Sequence, residues 1–374
     1  MRENYIEIED LDALHKLLSR TETPRHYAFQ AINFEKSGFP VENYRFEDCL
    51  FMGCIIPPRM YYAMNEQCIV LPRVKMPYKV FPNKLYDAKS LYLHYRPGDH
   101  DTYYTCYDTI CYERYMALGK ETSDIKETLC RMLHDHSIGN ALDQFIKGYH
   151  EKDIVAVMGG HAVKRTDESY RQIVEISKRL TEIGKLMVSG GGPGAMEAVH
   201  LGAWMAGRSE AEVADALEIL SVSPTFRDPG WLTSAFTVME KYPRDKKYHS
   251  LGIPTWFYGH EPATPFATDI AKFFFNSVRE DILLAIAKGG IIYSPGSAGT
   301  IQEIFQDAAQ NHYQTFGPPG PMVFLDRDFF TREVPIYPLL KDLIDRGKYQ
   351  NLLISVTDDA AEAIDTILSF TGNR

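Results

Sequence analysis

The chain has 374 residues, enough for two domains, and its 45% hydrophobic and 24% charged content is ordinary for a globular protein with a substantial core. A formal net charge of -10 argues against a broad cationic face for nucleic-acid polymers or anionic lipid and confines any phosphate chemistry to a small local site. No stretch approaches the ~18 apolar residues of a membrane span, and the acidic start "MRENYIEIEDLDALHKL" lacks a signal-peptide core, so a cytoplasmic location is expected.

Residues 1–150 are expected to form an accessory domain of mixed or β-rich structure. Within it "CIVLP" and "SLYLHY" have the character of strands. The aromatic and cysteine spacing of "NYRFEDCLFMGCIIPP" resembles one or two coils of a pentapeptide-type solenoid. Cys49, Cys54, Cys68, Cys106, Cys111 and Cys130 all fall here without a CxxC pair or zinc-like spacing, so reduced thiols and no metal site are expected. Tyr103, Tyr104, Tyr107, Tyr112 and Tyr115 crowd around Asp108 and Arg114; core packing is the expected use, with stacking on a base the alternative. From Thr122 to His150, Leu129, Met132, Leu133, Leu142 and Phe145 recur at helical spacing and predict a helix leading to the second domain.

After Asp153 short apolar runs alternate with amphipathic segments. "IVAVM" predicts a buried strand, and Tyr170, Ile173, Val174, Leu180 and Ile183 give the following helix an apolar face. "KLMVS", "LEILSVS", "IPTWFYG", "GIIYS", "MVFLD" and "LLISV" predict further strands. "PTFRDPGWLTSAFTVMEKYPRDKKYHS" is long for a connection and suggests a lid or dimer arm. Strands separated by helices imply parallel pairing with right-handed crossovers, so residues 151–374 are expected to form a doubly wound, Rossmann-like α/β domain.

In such a sheet ligands bind beyond the carboxyl ends of the strands. Three loops there are rich in glycine: "GGH" (Gly159, Gly160, His161), "SGGGPGAME" (with Gly190, Gly191, Gly192, Gly194, Met196 and Glu197) and "SPGSAGTIQE" (with Pro295, Gly296, Ser297, Ala298, Gly299, Thr300 and Glu303). Any one loop fits a tight strand-to-helix turn equally well, but three together favour a phosphorylated, nucleotide-like ligand held by backbone amides and helix N-termini. His161 is read as a capping or half-buried polar residue, with ligand contact as the alternative. Glu197 fits equally a first-turn helix acid or a group reading a base or sugar. "TIQE" fits a capping box between Thr300 and Glu303, while a carboxylate one turn beyond a bound phosphate would lie near an attached ribose. Arg279 sits between Phe275 and Leu283 on the predicted helix "ATDIAKFFFNSVREDILLAIAKG", so its guanidinium needs an anion, either a structural carboxylate or a ligand.

"GGGPGAMEA" and "PGSAGTIQE", preceded by an arginine-bearing helix, resemble the LOG (lonely guy) family of nucleoside 5'-monophosphate phosphoribohydrolases. The leading "GGH" and the extra N-terminal region resemble its larger bacterial nucleotide 5'-monophosphate nucleosidases. The resemblance runs from about Asp153 to the C-terminus. It implies a homodimer or higher homo-oligomer that hydrolyses the N-glycosidic bond of a nucleoside monophosphate, with purines the expected bases, and needs no cofactor. The family pattern PGGxGTxxE places the catalytic glutamate on Glu303 and the catalytic arginine on Arg279, with the three loops binding substrate. Ser297 stands where the pattern has its second glycine, and Arg279 lies one residue further upstream than the pattern expects. Two other functions fit the same loops: a non-catalytic nucleotide sensor, and a carrier of a phosphorylated cofactor such as molybdopterin.

Overall fold

A computed structural model of the chain describes residues 5–258 and 261–371. They fall into two compact units, one formed by residues up to Leu85 with Leu118–Asp143, the other by Tyr86–Ala117 with residues from Gln144 onward.

The first unit opens with strand β1 (Ile6–Ile8) and helix α1 (Leu11–Leu18), followed by β2 (Tyr27–Gln30), β3 (Leu50–Met52) and β4 (Ile69–Leu71). The four strands are parallel and adjacent in chain order. Ile8, Phe29, Phe51 and Val70 share one row of the ladder, so each coil takes about twenty residues. A parallel-stranded solenoid is present, and within its coils Phe29 and Phe34, Phe46 and Phe51, and Cys49 and Cys54 are buried at five-residue spacing. Its interior is an aromatic stack in which Phe29 and Phe51 lie 5.0 Å apart at 17°, with Phe34 and Phe46 buried beside them. The coil length also accounts for three of the cysteines. The thiols of Cys49, Cys54 and Cys68 donate to the carbonyls of Pro24, Phe29 and Phe46 at 3.4, 3.3 and 3.3 Å, tying each coil to the preceding one. Burial pushes Cys49 up to about 11 and Cys54 up to about 12, which keeps them protonated donors. All six cysteines are free.

Three helices follow: α2 (Ala88–Leu91), α3 (Tyr107–Leu118) and α4 (Ile125–Ile146). "CIVLP" does contain a strand, β4, but "SLYLHY" does not; Asp87 and Ser90 form a capping box that starts α2 instead. Residues 86–117, expected with the N-terminal domain, pack within the second unit. Tyr86 bridges Ile270, and the buried Asp108 carboxylate accepts from Lys272 at 2.7 Å and from the Trp256 indole at 2.9 Å.

The second unit continues with β5 (Ile154–Met158), α5 (Glu168–Glu182), β6 (Leu186–Ser189), α6 (Ala195–Trp204), α7 (Glu210–Ser221), α8 (Trp231–Lys241), β7 (Ser250–Gly252) and β8 (Asp269–Ile270). It closes with α9 (Asn276–Ile286), β9 (Gly290–Tyr293), α10 (Ala298–Tyr313), β10 (Pro321–Leu325), α11 (Ile336–Asp345), β11 (Leu353–Thr357) and α12 (Ala360–Thr371). "LEILSVS" is helical, not a strand: Ser209 and Glu212 cap α7, and Ala216, Leu217 and Leu220 are its buried face. The strand expected in "IPTWFYG" lies just before it, as β7. The helix expected from Ala267 begins only at Asn276, because "DI" pairs as β8. The supposed lid or arm contains α8, whose Trp231, Leu232, Ala235 and Val238 are buried in the core.

The seven strands form one parallel sheet in the order β11-β10-β9-β5-β6-β7-β8, with helices on both sides, a Rossmann-like doubly wound fold. The first strand of this sheet, β5, pairs with β6 on one side and with β9 on the other. The strand order reverses between β5 and β9, and the loops leaving their carboxyl ends diverge there, which opens a crevice. "GGH" and "SPGSAGT" are those two loops.

Candidate active site

The three glycine-rich loops interlock before they meet any ligand. The Gly160 amide donates to Pro295 O at 3.0 Å, and the Ala195 amide to Gly160 O at 3.1 Å. A Cβ on Gly194, whose φ is +69°, would lie 2.6 Å from both Gly160 O and His161 O. A Cβ on Gly191, also at +69°, would lie 2.8 Å from Pro254. These two glycines serve the contact of loop on loop. Gly299 differs, since a Cβ there would meet nothing within 4 Å; it borders open space.

That space is a cleft of about 230 Å³. The loop after β5 contributes Gly159, Gly160 and His161, and the loop after β6 contributes Gly190, Gly192 and Met196. The start of α10 adds Ser297, Gly299 and Thr300, and the floor carries Arg279 and Glu303. Gly191, Gly194, Pro295, Gly296 and Ala298 lie outside this lining. Ser297 is the N-cap of α10, and no side chain caps that end. The amides of Ala298, Gly299 and Thr300 are the first in a 16-residue helix and have no intrahelical acceptor. Their partial positive charge suits an anion.

The helix start also decides the reading of "TIQE". Because α10 begins at Ala298, Thr300 already lies in its first turn and Glu303 in its second, so the two cannot form a capping box. Glu303 instead faces Arg279, whose Nη1 is 3.5 Å from Glu303 Oε1. The side chains are 7% and 12% exposed, respectively. Arg279 Nε donates to Ile253 O at 2.7 Å, which fixes the guanidinium against the segment that follows β7. Burial raises the Glu303 pKa to about 7; neighbouring Glu280 adds to the rise and Arg279 opposes it. The cleft therefore holds a carboxyl poised near neutrality, a frequent property of groups that handle charge or protons in a reaction.

Glu197 is turned away from this chemistry. Its carboxylate is fully buried and accepts from Arg165 Nη2 at 2.6 Å, Arg165 Nε at 2.9 Å and the Tyr170 hydroxyl at 3.1 Å. Arg165 in turn donates to Ser223 O, Trp231 O and Ser234 Oγ. Glu197 thus anchors α8 and lies outside the lining of this cleft. Buried His200 bridges Ser189 Oγ and Ser250 Oγ at 2.8 and 2.9 Å, and burial pushes its pKa down to about 3, so it acts as a neutral strut beneath the second loop.

Six lining residues were not among those expected from the sequence: Met158, Pro254, Thr255, Tyr258, Glu261 and Glu280. Glu280 accepts from Asn276 Nδ2 and Gln302 Nε2, each at 2.8 Å, and from the Tyr258 hydroxyl at 3.2 Å, cross-bracing α9 and α10. Glu261 lies 3.3 Å from His161 Nδ1; burial raises its pKa, and the nearby cations oppose that. Tyr258 completes the wall. "VRED" signalled Glu280 by its place beside Arg279, whereas nothing local marked Glu261 or Tyr258. Among the described residues no group of three or more His, Cys, Asp or Glu could hold a metal ion, and no helix is long and apolar enough to cross a membrane.

No family model matches the chain, and no curated protein matches it. Among solved structures, the X-ray structure of TM1055, a Northeast Structural Genomics Consortium target, aligns with 58% of this chain and 98% of its own length. The two are 20% identical, with a TM-score of 0.38.

Proposed function

We propose that the protein hydrolyses the N-glycosidic bond of nucleoside 5'-monophosphates, giving a free base and ribose 5-phosphate, the activity that its resemblance to the LOG family implies. One observation carries the reading: the Arg279–Glu303 pair borders the same cleft as Gly299 and Thr300, whose amides at the start of α10 have no intrahelical acceptor. A 5'-phosphate on those amides and the Thr300 hydroxyl would fix the ribose, so that the reacting carbon need not be oriented during the chemical step. The hydroxyl of Ser297, where the family pattern has glycine, would add a donor at the same place.

Breaking the bond between the sugar C1' and the base nitrogen builds positive charge on the ribose ring. An ionised Glu303 beside that ring stabilises the transition state more than the ground state. Water supplies the oxygen that bonds to C1'; one of its protons passes to Glu303, and the departing base takes up a proton from the cleft or solvent. Arg279 holds Glu303 in place and favours its ionised form. The base would lie toward Met196 and Tyr258, and the loop of Gly160 and His161, which donates from Gly160 N to Pro295 O, would stand beside the phosphate.

Incubating the protein with AMP, GMP and IMP, with adenosine as the control, and separating the products by chromatography tests this. Free base and ribose 5-phosphate are expected from the monophosphates, and no cleavage from adenosine, which lacks the anchoring group. Binding without release of base would mark a nucleotide sensor, and cleavage of adenosine at the same rate would remove the role given to the α10 amides.

A further inference from the structure

The cleft does not end at His161. That residue also lines a second cavity of about 240 Å³, bordered by Thr225, Phe226 and Arg227. Phe226, Arg227 and Trp231 in turn line a third cavity of about 320 Å³, whose far wall is His100, Tyr103 and Tyr104. All of these residues belong to the second compact unit, so the three spaces are neighbours through shared wall residues, and together they are treated as one trough.

Its chemistry changes along its length. The first space has helix amides and an ion pair, whereas the third is walled by rings. His100 and Tyr103 lie nearly parallel, 7° apart in plane with centroids separated by 6.3 Å. Tyr104 meets both edge-on at 5.9 Å and is 54% exposed. Between the two ends the Arg227 guanidinium lies 5.6 Å from the centre of the Phe226 ring. Among the described residues it has no ion-pair partner, and adjacent Asp228 accepts from the amide and hydroxyl of Thr225 at 2.7 and 3.0 Å. Open aromatic faces suit a flat heterocycle, and an unneutralised guanidinium suits a phosphate. Tyr103 and Tyr104 thus part company with Tyr115, which is core.

We propose that the trough binds dinucleotides, with one nucleoside monophosphate half in the cleft and the second base stacked among His100, Tyr103 and Tyr104, Arg227 facing the phosphates that join the halves. The position of the first half rests on the function proposed above; the aromatic subsite rests on its own geometry.

Titration calorimetry with AMP and with diadenosine 5',5'-diphosphate, on the wild-type protein and on Tyr104→Ala and Arg227→Ala, tests the proposal. Both side chains border open cavity space, and circular dichroism checks that the variants fold. The dinucleotide is expected to bind at least about tenfold more tightly than AMP, the scale of one base stacked on an aromatic ring, and that ratio is expected to fall to within about twofold in each variant. A dinucleotide that binds no better than AMP, a ratio that survives both substitutions, or a failure of both nucleotides to bind would overturn it. AMP that binds but is never cleaved would remove the hydrolase reading, and the affinity ratio would still decide the subsite. AMP that is cleaved while the dinucleotide gains nothing would remove the subsite alone.

Discussion

Glu303 carries opposite demands. Below the ordinary carboxyl range near 4.3 it is protonated whether the chain is folded or not. As pH rises from there to about 7, the unfolded chain loses this proton while the folded one retains it, so folding loses stability through that window. The loss reaches on the order of 3 kcal/mol at its upper end. Glu303→Gln removes that cost, and thermal unfolding at pH 5 and pH 8 is expected to show the variant gaining on wild type as pH rises. A buried acid that costs stability is the usual sign of a group kept for chemistry. On the proposed mechanism the same ionisation is expected to set an acid limb on kcat/KM, with activity rising as pH increases through about 7. Arg279→Gln leaves Glu303 without the cation that favours its charged form, so in that variant the limb is expected to move to higher pH and the residual rate to fall by orders of magnitude. A limb at the wild-type position would detach the arginine from the carboxylate.

At the scale of elements, the two kinds of glycine separate under substitution. Gly299→Ala places a methyl in open space within the first turn of α10, where alanine gains up to about 1 kcal/mol of helix propensity. That variant is expected to melt no lower than wild type yet to bind mononucleotides more weakly, because the methyl intrudes where the phosphate would sit. Gly194→Ala forces a side chain onto two carbonyls at positive φ and is expected to lower the melting temperature, as measured by calorimetry. The strands that bear the glycine loops, β5, β6 and β9, were legible in the sequence because each is a continuous apolar run ending in glycine or serine. β8 was not, since two residues give no period, and α7 was misread because its apolar end outweighed the capping signal at Ser209. The capping-box alternative for "TIQE" failed for a related reason. A capping motif does not by itself say where a helix starts, and the packing of the loop sets that start at Ala298. His161, Met196 and Thr300 could be placed by their loops, while Glu261 and Tyr258 reach the cleft from a segment that carries no local pattern.

For the molecule as a whole, the segment 86–117 is the part that sequence reading could least place. Its ties to the rest of the second unit are single long-range contacts, above all the buried Asp108 beneath Lys272 and Trp256. Asp108→Ala leaves a buried ammonium unpaired and is expected to cost about 3–5 kcal/mol in denaturant unfolding; adding Lys272→Met in the same chain is expected to recover much of it. A fragment beginning at residue 151 lacks Asp108 altogether, so it is not the natural unit for biochemistry. The full chain is the proper material for assay. Release of ribose 5-phosphate from AMP by wild type and by Glu303→Gln, measured side by side on folded protein, is the decisive comparison. Steady release by wild type with a loss of several orders of magnitude in the variant is the expected result. Equal release by both, or AMP left intact by wild type, would contradict the role given to Glu303.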